Sequence, residues 1–251
     1  MRYLESVMGI PMSIDIRDPG DHGDAARDAF AVLAAADARF STYLTTSEVS
    51  AVNRGEVTAD RYSDELREVI EIGTQAADQS GGAFRIRMAD GRLDLDGVVK
   101  GWAAARAVET LERAGVHNFC LNAGGDVAVV GSPEPPAPWN VGVRSPGDPA
   151  QMLAVLAVAD AAVATSGAYE RGQHIVDGRT GETARGLTSA TVVAGDLTTA
   201  DVLATAVFAR GLDGPDWARA HGARGVLALT DDGTLVIVGD LTFACPPKLP
   251  L

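Results

Sequence analysis

Apolar residues recur at three- and four-residue spacing over 24–40, 63–79, 102–114, 199–209 and 215–220, and this period predicts five helices, each with an apolar face. Ser63 followed by Asp64 and Glu65 reads as a helix start, and Gly115 and Gly211 read as stops. Shorter apolar or alternating runs predict strands at 12–17, 119–122, 127–130, 140–144, 153–159, 162–164, 174–176, 189–193, 226–229 and 235–238. Asp231-Asp232-Gly233 joins the last two as a hairpin. The helices fall between blocks of consecutive strands, without strict β-α alternation. That order predicts an α+β fold with mixed or antiparallel sheets and packed helices, and disfavours a doubly wound sheet.

Composition narrows the picture. With 251 residues, 46% of them hydrophobic, the chain is long enough to bury a sizeable core as one large domain or two tightly joined lobes. No apolar run reaches the roughly 18 residues a membrane span needs. The first residues lack a basic segment followed by an apolar one, so a secretory signal is expected to be absent or already removed, and a cytoplasmic location fits. Two cysteines, Cys120 and Cys245, make no disulfide framework, and Cys120 within Phe119-Cys120-Leu121 is expected to pack as a small core residue. A net charge of −13 repels nucleic acid and anionic membranes. Any anion site must therefore be assembled locally from a cation, a metal or backbone N–H groups. Of 21 basic residues only Lys100 and Lys248 are lysines, which makes Lys100, in the middle of the chain, conspicuous.

Four segments carry candidate chemistry. In Leu93-Asp94-Leu95-Asp96-Gly97-Val98-Val99-Lys100-Gly101-Trp102, two acids precede a Lys-Gly pair and then a helix. This reads either as a phosphate-attracting helix N-terminus or as a surface loop entering a helix. Asn122-Ala123-Gly124-Gly125-Asp126 follows a strand and reads as a plain hairpin turn or as a backbone that approaches a ligand closely. His174 lies in a polar, glycine-rich run downstream of Thr165 and Ser166, and reads as a structural histidine or as a general base for an alcohol. Asp201 and Thr205 stand one helical turn apart in Thr198-Thr199-Ala200-Asp201-Val202-Leu203-Ala204-Thr205, with Thr198 or Thr199 as N-cap. A carboxylate and a hydroxyl so placed suit a hard cation such as Mg²⁺, although a bland helix start accounts for the same residues.

These segments occur in one order with Val7-Met8-Gly9-Ile10-Pro11-Met12, with Phe40-Ser41-Thr42-Tyr43, and with Ser47-Glu48 and Asn53. The set resembles the ApbE family, the FAD:protein FMN transferases, over nearly the whole of 1–251. The resemblance implies a single ApbE-like domain that takes FAD as substrate, uses Mg²⁺ or Mn²⁺, attaches FMN to a Ser or Thr of an acceptor protein in an Asp-x-x-[Ser/Thr]-Thr-like context, and releases AMP. It implies metal ligation by Asp201, Thr205 and the backbone oxygen of Gly97. FAD contacts are implied for Met8, Tyr43, Ala83, Phe84, Arg85, Asp94, Lys100 and Ile175, and the role of base for His174. The same site also suits a metal-dependent FAD pyrophosphatase or a non-catalytic flavin binder.

The chain departs from the family pattern at four places. Arg85 replaces an aspartate, residues 86–93 replace a much longer segment, Ala105 replaces an aspartate, and Gly178 replaces a proline.

Overall fold

The computed structural model describes residues 1–148, 150–167 and 175–247. The chain begins with a hairpin, β1 (Arg2–Val7) and β2 (Ile10–Ile16). Three helices follow: α1 (Gly23–Phe40), the short α2 (Glu48–Asn53) and α3 (Asp64–Gln79). The long α4 (Asp96–Arg113) leads into strands β3 (Phe119–Ala123), β4 (Asp126–Val130), β5 (Trp139–Arg144), β6 (Met152–Val158), β7 (Ala161–Gly167) and β8 (Leu187–Ala194). Helices α5 (Leu197–Arg210) and α6 (Gly214–Ala220) precede β9 (Gly225–Thr230), β10 (Leu235–Gly239) and β11 (Phe243–Cys245).

An eight-stranded sheet runs in the order β1-β2-β3-β4-β7-β8-β9-β10, and β11-β6-β5 form a second sheet. Every named pair is antiparallel. The α+β expectation therefore holds.

The central strands are buried on both faces, and the two faces carry different residues. Toward the helices point small side chains: Ala128, Ala162, Ala164, Ala190, Ala194 and Ala228 all join the helix-side core. Toward the small sheet point larger ones, among them Val127, Val129, Val163, Val193 and Leu227, which pack with Trp139, Leu153 and Leu156. Small residues let helices approach the sheet closely, whereas the second sheet needs volume to fill its gap. Helix α5 is apolar almost all round, as befits a helix enclosed between the sheet and other helices. Asp201 is the one charged residue among its buried positions.

Several expectations need correction. Helix α4 begins at Asp96, not near Trp102, so Lys100 and Gly101 sit in its second turn. Two glycines and an acid in those first turns hide the helix from a propensity reading, and packing supplies what propensity lacks. The N-cap of α5 is Asp196, whose Oδ1 accepts the Thr199 N–H at 2.9 Å, and neither Thr198 nor Thr199 is the cap. Strands β1 and β11 and helix α2 have no counterpart in the sequence reading. The strand expected at 174–176 begins outside the described residues, and Val176 makes only an isolated bridge to Thr183. Ser63 does cap α3, accepting the Leu66 N–H at 3.1 Å. Cys120 is largely packed against the small-sheet core, and burial pushes its thiol up to about 11.

Candidate active site

The site forms where the N-terminal half of α4 packs on the N-terminal part of α5, beside Asp126 at the β3–β4 turn and Thr165 and Ser166 near the end of β7. The crossing is made possible by glycine. A Cβ on Gly101 would lie 2.5 Å from the Leu197 carbonyl oxygen and 2.7 Å from the Asp201 Cβ. One on Gly97 would press on the Phe84 ring at 3.0 Å and reach the Thr205 methyl at 3.5 Å. Gly97 and Gly101 thus form a stripe on α4 that faces Asp201 and Thr205 on α5, and each pair is one turn apart.

That close approach lets the Gly101 N–H donate to Asp201 Oδ2 at 2.9 Å. The Lys100 ammonium lies 3.2 Å from the same oxygen and closer still to Asp126 Oδ2. All three are largely removed from water: the side chain of Lys100 is 24% exposed, that of Asp126 5% and that of Asp201 7%. Asp126 is set in place by the two-residue turn Gly124-Gly125, with both glycines at positive φ. A Cβ on Gly124 would meet Ile10 Cδ1 at 2.3 Å, which packs this turn on the β1–β2 hairpin that carries Met8. The other oxygen of Asp126, Oδ1, accepts the Thr165 N–H of β7 at 3.0 Å. Beside it the Ser166 and Thr205 hydroxyls meet at 3.3 Å, and the Thr165 and Thr191 hydroxyls meet at 2.9 Å behind them.

Two buried carboxylates therefore share one ammonium. Among the described residues no second cation pairs with either, and Asp201 Oδ1 accepts no hydrogen bond. Among the described residues there is also no cluster of three His, Cys, Asp or Glu side chains suited to a metal. The oxygen donors at the crossing are instead Asp201, the Thr205 and Ser166 hydroxyls and the α4 backbone.

The structure brings Gly97, Lys100, Asp201 and Thr205 together. Asp126 and Ser166 join them, although neither was singled out as a site residue. The sequence signal for Asp126 was an acid directly after a paired-glycine turn in a chain with one internal lysine. At the α4 N-terminus Asp94 Oδ1 accepts the Asp96 N–H at 3.2 Å.

The remaining expected contacts lie around this core. Met8 adopts φ 55° in the β1–β2 turn, a conformation uncommon for a side chain of its size, and packs on the helix-side core. Tyr43 is 86% exposed. Ala83 and Phe84 are buried, with Phe84 against Gly97. Ile175 is half-buried on the core. His174 lies outside the described residues.

Two departures from the family pattern acquire a physical reason. Residues 86–94 close as a tight hairpin, with Arg87 bridging Leu93 and the Asp94 N–H donating to Ile86 at 2.9 Å. Asn53 clamps that hairpin by accepting the Leu93 N–H at 2.7 Å and donating to its carbonyl at 3.0 Å. The Gly178 N–H donates to the Ala83 carbonyl at 2.9 Å, and a Cβ there would stand 2.3 Å from the Gly82 oxygen, so this backbone has no room for proline. Next to it Asp177 accepts the Arg179 guanidinium at 2.9 Å, which holds its carboxyl below the usual range. Arg85, whose Cβ lies 3.3 Å from the position of a Gly178 Cβ, has no ion pair among the described residues.

The fold, an antiparallel sheet packed against helices, is shared with solved flavin transferases. Flavin transferase ApbE from Vibrio cholerae superposes with a TM-score of 0.79 at 21% identity, covering 96% of each chain. The apo flavinyl transferase ApbE of Pseudomonas stutzeri gives 0.80 at 20% identity, over 96% of this chain and 94% of that one. The sequence profile of the ApbE family matches residues 8–91 and 85–228, and the chain belongs to that family. The FAD:protein FMN transferase of Rhodobacter capsulatus is 37% identical over 155 residues, 57% of this chain and 29% of that protein. Its namesake in Treponema pallidum (strain Nichols) is 34% identical over 140 residues, 49% of this chain and 39% of that protein. The chain thus matches well under half the length of these curated relatives.

Proposed function

We propose that this protein cleaves FAD and transfers its FMN moiety to a Ser or Thr hydroxyl of an acceptor protein, releasing AMP, with Mg²⁺ or Mn²⁺ held by Asp201, Thr205 and the Gly97 backbone oxygen. The observation that carries the proposal is the charge of the crossing: two buried carboxylates and one ammonium. A buried charge without a partner is costly, so such a site calls for a further cation. The donors fit one, because carboxylate, hydroxyl and carbonyl oxygens are what a hard divalent ion takes. When bound, a divalent cation supplies positive charge against the pyrophosphate oxygens, where charge develops as the P–O bond breaks.

The chain's own residues do the rest. Lys100 offers a second positive charge to a phosphate oxygen. Gly97 and Gly101 let α4 pack closely beside Asp201 and Thr205, since a Cβ at either would clash with Phe84 or with Leu197 and Asp201. His174 takes the proton of the acceptor hydroxyl as its oxygen bonds to the FMN phosphorus and AMP departs. FAD contacts are assigned to Met8, Tyr43, Ala83, Phe84, Arg85, Asp94 and Ile175, of which Phe84 lies against Gly97. In a chain of net charge −13, these local cations are what an anionic substrate can find.

The deciding experiment is incubation with FAD, Mg²⁺ and a peptide carrying an Asp-x-x-[Ser/Thr]-Thr sequence, followed by weighing the peptide. The expected result is a peptide heavier by one esterified FMN, with AMP released in equal amount. Free FMN and AMP with unchanged peptide would mean that water is the acceptor and that the protein is a pyrophosphatase. Replacing Mg²⁺ with EDTA should weaken FAD binding, and equal affinity in both would remove the metal. His174→Ala should still bind FAD but lose turnover, and unchanged turnover would remove His174 as base.

A further inference from the structure

We infer that Asp126 is a positioning residue that keeps Asp201 available to a cation by giving Lys100 a second counter-ion. This rests on the proposed metal site at Asp201. Lys100 stands between two carboxylates and lies closer to Asp126 than to Asp201. Its partner is also the more firmly held of the two. Asp126 opens β4 directly after a two-residue turn, and its Oδ1 is fixed by the Thr165 N–H at 3.0 Å, so Oδ2 is aimed at the lysine and away from solvent. Asp201 Oδ2 is shared between the Gly101 N–H and the more distant ammonium, while its Oδ1 has no hydrogen-bond donor among the described residues.

The consequence is a division of labour between the two acids. With Asp126 in place, Lys100 keeps a buried partner whether or not Asp201 binds a cation, so loading Asp201 strands no charge. Without Asp126, the only carboxylate that Lys100 still meets among the described residues is Asp201. The ammonium then pairs with it fully and competes with any metal for the same group. Asp126 thus acts through Lys100, which a uniform electrostatic contribution from its own charge would not do.

A double-mutant cycle read by Mn²⁺ titration, at saturating ADP as the pyrophosphate-bearing nucleotide, separates these possibilities. Asp126→Asn should weaken Mn²⁺ binding about tenfold or more in the wild-type background. In a Lys100→Gln background the same substitution should change it by less than about threefold, because there is no ammonium left to release. Equal losses in both backgrounds would overturn the inference, since Asp126 would then act by its charge alone. If Lys100→Gln does not fold, Asp126→Glu decides: it should recover most of the affinity that Asp126→Asn loses, and a loss as large as that of Asp126→Asn would refute the role. Asp201→Asn serves as the separate control. If it leaves Mn²⁺ binding unchanged, the metal site itself fails and the inference goes with it. If it abolishes binding while the cycle is additive, the metal site stands and only the role of Asp126 falls.

Discussion

Two carboxylate clusters in this protein differ in how fully their charge is met. Glu48 joins three helices: its Oε1 accepts the Ser63 N–H at 2.7 Å, and its Oε2 accepts the Ser63 hydroxyl at 2.6 Å and the Arg39 guanidinium at 3.3 Å. Each oxygen has its donors. The additional acid there, Glu65, lies 3.5 Å from Arg39 and is 42% exposed, so water meets its charge. The Asp126–Asp201 pair is more deeply buried and has one ammonium for two carboxylates. A saturated carboxylate fastens helices together. An unsaturated pair, kept dry and pinned by backbone, is poised to take something else.

The contrast is broken most sharply by removing one acid from each cluster. Asp201→Asn should lower flavin transfer on the order of 10²–10³-fold, because it removes the carboxylate proposed to hold the charge-stabilising cation. Its midpoint of thermal unfolding should stay level or rise, since Lys100 and Asp126 are then left as a balanced pair. A large fall in stability would make Asp201 a structural acid like Glu48. Gly101→Ala ranks next. Its Cβ would overlap backbone and Asp201, neither of which can swing aside, so destabilisation of about 1–3 kcal/mol is expected in denaturant titration, together with weaker Mn²⁺ binding as α4 and α5 part. Unchanged stability and affinity would show that the crossing does not depend on glycine.

Much of this fold was legible as pattern. The periodic segments behind α1 and α3 appear within a residue of their expected bounds, because each buries one face against a neighbour. What was not legible depends on distant partners. The residues of β1 are mostly exposed and the strand is defined by its pairing with β2, while α2 has six residues, too few to show a period. Strands β5 and β6 were expected as strands, but their departure into a separate sheet is settled only by which side chains Trp139 and Leu156 find across the gap. The site divides in the same way. Asp201 and Thr205 announce themselves by spacing, and only their order among other motifs lifts them above an ordinary helix start. Asp126 looks like the end of a turn until β3, β4 and β7 bring it under a lysine from another element.

The smallest effect tests the fastening side of the comparison. Glu48→Gln keeps the shape and loses the charge that strengthens the Ser63 and Arg39 contacts, so a destabilisation of about 1–2 kcal/mol is expected at neutral pH, with turnover and Mn²⁺ affinity unchanged. The pH dependence supplies a second reading. Burial raises the Glu48 carboxyl, but the hydrogen bonds from Ser63 and Arg39 outweigh it, and its pKa in the folded protein lies below the ordinary 4.5. A depressed folded pKa means that the contribution is fully present above the unfolded value and is lost as pH falls through the folded one. Wild-type stability should therefore fall with acid below about pH 4.5, and Glu48→Gln should make that fall shallower. The slope will not vanish, because Asp18, hydrogen-bonded by His117 and Asn118, titrates in the same direction. If the acid limbs of wild type and Glu48→Gln run parallel, Glu48 is not a fastener, and the distinction between saturated and unsaturated carboxylates loses one of its two sides.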